Sequence, residues 1–181
     1  KAQPAMAALA RLGSTAVETA IRSSNAEDAF YHSATAALRF AEQAARDGEA
    51  AAQHAAALVQ DGSRVLTHSR SSTVLLALRL ALKDGKRLAV IATESRPMME
   101  GRALAVELAR EGANVTLIAD AAAAQGLEHA DFALLGADCI TASGAINKIG
   151  SRMIALAGHE SGKPVLVVCD TSKFMGSTAG T

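Results

Sequence analysis

The chain predicts a parallel α/β sheet covered by helices on both faces and preceded by a helical segment. Three observations carry that prediction. The first 60 residues hold no β-rich run, five short β-rich runs recur from Arg64 onward, and helical patterns separate those runs. Strands that read as continuous apolar stretches between helices belong to a sheet buried on both sides, and such sheets are parallel.

From Asn25 to about Asp47 the sequence is Ala-rich, with Phe30, Ala34, Ala37, Leu38 and Ala41 on one helical face. Asp47-Gly48 is expected to break this helix, and Glu49 to Gln60 to form a second helical segment. Ala-rich helices pack closely, so this part reads as a cap or a packing arm. The predicted strands are 64–68, 88–93, 115–118, 132–135 and 165–168, and the predicted helices between them are 73–83, 99–111, 121–128 and 148–161. The expected organisation is a helical region over 1–60, an α/β domain over 61–174 and a flexible Gly/Ser/Thr-rich tail over 175–181. Lys1 in place of Met adds the expectation of a chain trimmed at both ends.

Half of the 181 residues are hydrophobic, enough for a sizeable core. Aromatic residues make up only 3% and Trp is missing, so that core must be built from Ala, Leu, Val and Ile. The 18 basic and 18 acidic residues balance without a basic stripe, which argues against direct binding to nucleic acid or to anionic membrane. Charges interrupt every apolar stretch, so no membrane span is expected, and the start shows no signal-peptide pattern. Cys139 and Cys169 end apolar runs without metal-type spacing and are expected to be buried thiols in a reducing compartment. A cytoplasmic protein with neither metal nor cofactor is the corresponding expectation.

Parallel sheets bind ligands beyond the carboxyl ends of their strands, so the polar residues there are the candidates. His68-Ser69-Arg70-Ser71-Ser72 follows the first run. Its hydroxyl groups suit a helix cap, and the same geometry offers N–H groups and a guanidinium to a phosphate. Glu94-Ser95-Arg96-Pro97 follows the second run. Pro97 suits the first turn of a helix and holds Arg96 extended toward the strand-end crevice, unless Arg96 pairs with Glu94 or Glu100. Gly136-Ala137 lets backbone approach closely, and Asp138 then projects into the crevice as a tunable acid or base. Beyond a turn at Gly144, Asn147 and Lys148 bring amide and ammonium donors; the alternative is an ion pair between Asp138 and Lys148.

Together these segments resemble the family of the alpha, beta and delta subunits of eukaryotic translation initiation factor 2B. Its relatives include methylthioribose-1-phosphate isomerase and ribose-1,5-bisphosphate isomerase. The resemblance runs from about Asp61 to Phe174 and is carried by Leu66-Thr67-His68, Glu94-Ser95-Arg96-Pro97 with Gly101, Gly136-Ala137-Asp138 and Asn147-Lys148-Ile149-Gly150. Asp170-Thr171-Ser172-Lys173-Phe174 resembles the family's last core strand. The resemblance implies a Rossmann-like domain, a phosphorylated small-molecule ligand and a homodimer. For the isomerases it implies that a cysteine after the first strand and an aspartate after the fourth share the proton work. Asp138 matches the aspartate, but Ser69 stands at the cysteine position, and a hydroxyl is far less acidic than a thiol. Cys139 should point away from the side of Asp138, and Cys169 falls near the end of the last predicted run, inside the strand as expected. Glu100 replaces the isomerases' Gln, and their Arg-Gly-Ala phosphate loop has only Arg11-Leu12-Gly13-Ser14 as a counterpart.

The resemblance thus implies a ligand-binding set of His68, Arg70, Ser71, Arg96, Glu100, Asn147 and Lys148, with Asp138 and Ser69 at the catalytic positions if the protein is an isomerase. The expected function is a factor-2B-like protein that binds a phosphorylated sugar or nucleotide without efficient isomerisation. One alternative is an aldose–ketose isomerase acting on a sugar 1-phosphate of the ribose 1,5-bisphosphate or methylthioribose 1-phosphate type. The other is a non-enzymatic subunit that contacts a translation GTPase factor.

Overall fold

The structure, a computed structural model, describes residues 6–175. The predicted tail beyond Met175 therefore lies outside the described residues. Two helices come first, α1 (Ala7–Ile21) and α2 (Ala26–Leu58). Strand and helix then alternate: β1 (Arg64–Thr67), α3 (Ser72–Lys83), β2 (Ala89–Thr93), α4 (Glu100–Arg110), β3 (Asn114–Ile118), α5 (Ala123–Glu128) and β4 (Phe132–Leu135). A short hairpin, β5 (Cys139–Thr141) with β6 (Gly144–Ile146), precedes α6 (Ser151–Ser161) and β7 (Val165–Val167).

The chain divides into two compact units. The second comprises 49–137 and 147–169 and holds a five-stranded sheet in the order β3-β2-β1-β4-β7, with every pairing parallel. Alternate residues along a strand face opposite sides, and the core splits accordingly. Val65, Val90, Ala92 and Leu134 meet Ala52, Ala55 and Ala56 of α2, Leu75 and Leu78 of α3, and Leu104 and Leu108 of α4. On the other face Leu66, Ala133 and Leu135 pack with Leu127 of α5 and Ile154 of α6. Burial on both faces is what makes the strands read as continuous apolar runs.

In the first unit the described residues are 6–48, 138–146 and 170–175. The β5–β6 hairpin is bridged through Ile140 to Phe174, and the Arg11 guanidinium donates to the carbonyl oxygen of Thr171 at 2.8 Å. Phe30 and Leu38, expected on one packed face, are 79% and 66% exposed.

Four local expectations are corrected. Asp47-Gly48 does not break the helix, because α2 runs unbroken for 33 residues. A helical Gly costs about 1 kcal/mol relative to Ala, which the Ala-rich sequence on either side offsets. Pro97 is not in the first turn of α4 but in the turn before it, preceded by a cis peptide bond. The last core strand ends at Val167, so Cys169 lies beyond it. The segment 170–174, which resembles the family's last core strand, instead lies beyond β7 and holds a 3₁₀ turn over Thr171–Lys173, where the Asp170 carboxylate accepts the Ser172 N–H at 2.8 Å.

Candidate functional site at the carboxyl edge of the sheet

In the second unit, four chain segments meet at the carboxyl edge of the sheet: Ser69–Ser71 after β1, Glu94–Met99 after β2, Gly136-Ala137 after β4 and 147–150 before α6. Ser69, Ser95 and Met99 adopt left-handed conformations, with φ of 70°, 67° and 60°. Non-glycine residues held there cost about 1–3 kcal/mol each and cluster at functional sites.

A buried polar chain fixes the β1–β2 corner. His68 is 2% exposed, and its Nε2 lies 2.7 Å from the Ile149 carbonyl oxygen. A carbonyl only accepts, so Nε2 carries the hydrogen, and in the neutral ring Nδ1 accepts from the Thr93 hydroxyl at 2.6 Å. The Ser95 hydroxyl then donates within the Thr93 residue, to Oγ1 at 3.2 Å or to the carbonyl at 3.3 Å, and accepts the Ser69 N–H at 2.7 Å. Asp120, just after β3, accepts the backbone N–H groups of Ser95 and Arg96, both at 2.7 Å. Burial pushes the Asp120 carboxyl up, but the N–H donors of Arg96 and Ser95, together with smaller contributions from His68 and Thr93, hold the group below the usual carboxylate range.

A second corner lies where α4 and α6 begin. The Lys148 ammonium donates to Glu100 Oε1 at 2.6 Å, with the two side chains 14% and 28% exposed. Glu100 Oε2 is buried and has no hydrogen-bond partner among the described residues. Neither α4 nor α6 has a side-chain cap, although the Ser151 N–H that opens α6 donates to the Lys148 carbonyl and the Arg102 N–H in α4 to the Met99 carbonyl, both at 3.1 Å. Asn147 donates to the Ser151 hydroxyl at 2.9 Å.

The remaining predicted residues are placed as follows. Ser71 caps α3 by accepting the Val74 N–H, and it packs so tightly on Gly136 that a Cβ there would stand 2.5 Å from Ser71 Cβ. Arg70 turns to Glu107 at 2.9 Å. Arg96, 65% exposed, reaches Glu94 at 3.4 Å, one of the two pairings weighed for it. Asp138 belongs to the first unit, where its N–H donates to the Ile146 carbonyl at 2.8 Å and its own carbonyl accepts the Ala7 N–H at 3.1 Å. Thr93, Ser95 and Asp120 were not among the predicted site residues; the polar end of the third predicted strand was the only signal for Asp120. Among the described residues, no group of three or more His, Cys, Asp or Glu is arranged to hold a metal ion.

Residues 1–179 match the model of the Initiation factor 2 subunit family. The chain belongs to that family. A putative translation initiation factor eIF-2B subunit 2-like protein of Pyrococcus horikoshii is 39% identical over 175 residues, spanning 96% of this chain and 60% of its own length. The crystal structure of the translation initiation factor eIF-2B from the same organism superposes with a TM-score of 0.85 at 38% identity, covering 94% of this chain and 60% of that one. A protein of Archaeoglobus fulgidus named ribose 1,5-bisphosphate isomerase is 45% identical over 121 residues, 66% of this chain and 39% of the relative. The chain thus spans about two fifths to three fifths of the length of these relatives. No helix among the described residues is long and apolar enough to cross a membrane.

Proposed function

We propose that this chain binds a phosphorylated sugar or nucleotide at the carboxyl edge of its sheet and isomerises it inefficiently or not at all. The observation that carries this reading is Lys148, an ammonium only 14% exposed, set where two helices begin without side-chain caps. A poorly hydrated cation beside the positive ends of two helices favours an anion with several oxygens. The second half of the reading rests on Ser69, since its hydroxyl does not ionise near neutral pH as a thiol does. A homodimer in the cytoplasm completes the reading and is supported by the family resemblance. Calorimetric titration with ribose 1,5-bisphosphate, methylthioribose 1-phosphate and nucleoside monophosphates tests it. Heat of binding with at least one of them is expected, and none with any of them would overturn the pocket.

A second reading, a working aldose–ketose isomerase, is favoured by the 45% identity to the Archaeoglobus relative. Asp138 would then act as the acid–base carboxylate. Incubation with ribose 1,5-bisphosphate should yield a ketose. An Asp138→Asn variant that makes product at the wild-type rate would exclude that mechanism.

A further inference from the structure

We propose that the Glu100 carboxylate is a resident anion that holds Lys148 until a ligand phosphate takes its place. Glu100 therefore sets how strongly the site takes phosphate. The inference rests on the preceding reading that this edge binds phosphorylated ligands.

The ion pair is partly withdrawn from water, so salt screens it less than a surface pair. It is also incomplete. A carboxylate accepts through two oxygens, and here Oε1 takes the ammonium while the buried Oε2 takes nothing among the described residues. A desolvated acceptor without a partner is costly, so Glu100 is a strained partner for Lys148. Its place explains why it is tolerated. Glu100 is the first residue of α4, and negative charge is favoured at a helix start. A phosphate arriving at this edge would compete for the same ammonium and the same helix start. It would do so against the repulsion of the carboxylate. A merely structural pair would instead lose phosphate affinity, or leave it unchanged, when Glu100 is neutralised.

The test titrates the full chain and its variants with inorganic phosphate and, in parallel, with ribose 1,5-bisphosphate. Glu100→Gln should bind inorganic phosphate about tenfold more tightly than wild type, the equivalent of one charge-assisted hydrogen bond released to the ligand. Glu100→Ala should show the same direction, which separates loss of charge from change of shape. The gain should vanish in the Glu100→Gln/Lys148→Met double variant, which should bind no better than Lys148→Met alone. Thermal midpoints measured alongside establish that each variant is folded. If wild type binds ribose 1,5-bisphosphate but Glu100→Gln gains nothing, the resident-anion role is overturned while the pocket stands. A gain that persists without Lys148 overturns it as well. If neither wild type nor any variant binds either compound, the pocket fails and the inference with it.

Discussion

Two corners of the same sheet edge use polar residues in opposite ways. At the β1–β2 corner, His68, Thr93, Ser95 and Asp120 spend their hydrogen-bonding groups on one another and on backbone. At the α4–α6 corner, Glu100 and Lys148 share one bond and leave a buried oxygen without a partner among the described residues. The first arrangement fixes where the strand-end loops run. The second keeps capacity in reserve. Polar residues at strand ends are therefore not equivalent candidates, and what separates them is whether the protein has already satisfied them.

The largest expected effect comes from the contact that seats α4 against the closed corner. A Cβ on Gly101 would lie 1.8 Å from the Thr93 carbonyl oxygen and 2.8 Å from Ser95 Oγ. The first is a backbone atom at the end of a central strand and cannot move aside as a side chain can. Gly101→Ala should destabilise the protein by about 3 kcal/mol, the upper range for an overpacked site, as read by urea denaturation. A variant within about 0.5 kcal/mol of wild type would show that the corner is looser than its geometry implies.

His68 comes next. Removing the ring strands the Ile149 carbonyl and the Thr93 hydroxyl and leaves a cavity, so His68→Ala should cost about 2 kcal/mol. If His68→Gln instead kept wild-type stability but abolished binding of ribose 1,5-bisphosphate, His68 would be a ligand contact and the β1–β2 corner part of the binding site.

The sheet was legible because burial on both faces writes itself into the sequence as continuous apolar runs, and each predicted strand lies within one residue of the observed one at either end. The hairpin was not legible. Its strands, Cys139–Thr141 and Gly144–Ile146, are three residues long and carry too little period to register. The edge that carries the candidate site was also legible, since parallel strands dictate which edge ligands use. The roles of individual residues there were not. A His after a strand looks the same whether it meets a ligand or the Ile149 carbonyl, 81 positions away, and an Arg looks the same whether it meets phosphate or Glu107. Those partners are decided by tertiary packing.

A smaller effect should appear as pH dependence at Asp120. Its carboxyl is held below the ordinary value, so its contribution is fully present above about pH 4 and is lost as pH falls through the lower folded-state value. Asp120→Asn keeps one acceptor oxygen and should cost about 1.5 kcal/mol at pH 7, with a flatter fall in the urea midpoint toward pH 3. Wild type and variant losing stability in parallel over that range would assign the acid sensitivity to other carboxylates.

The smallest change should follow Arg70→Ala. Arg70 is 41% exposed and reaches Glu107, which also takes Arg79 at 3.1 Å, while Arg79 holds Glu111 at 2.6 Å. Without Arg70 that carboxylate keeps a cation, and exposed pairs of this kind are worth little, so stability should move by less than about 0.5 kcal/mol. Binding of ribose 1,5-bisphosphate should be equally unmoved if Arg70 is a satisfied residue like those of the closed corner. A tenfold loss of affinity at unchanged stability would mean that the guanidinium leaves Glu107 for the ligand. Arg70 would then belong with Lys148, as a cation held by a resident carboxylate until phosphate arrives.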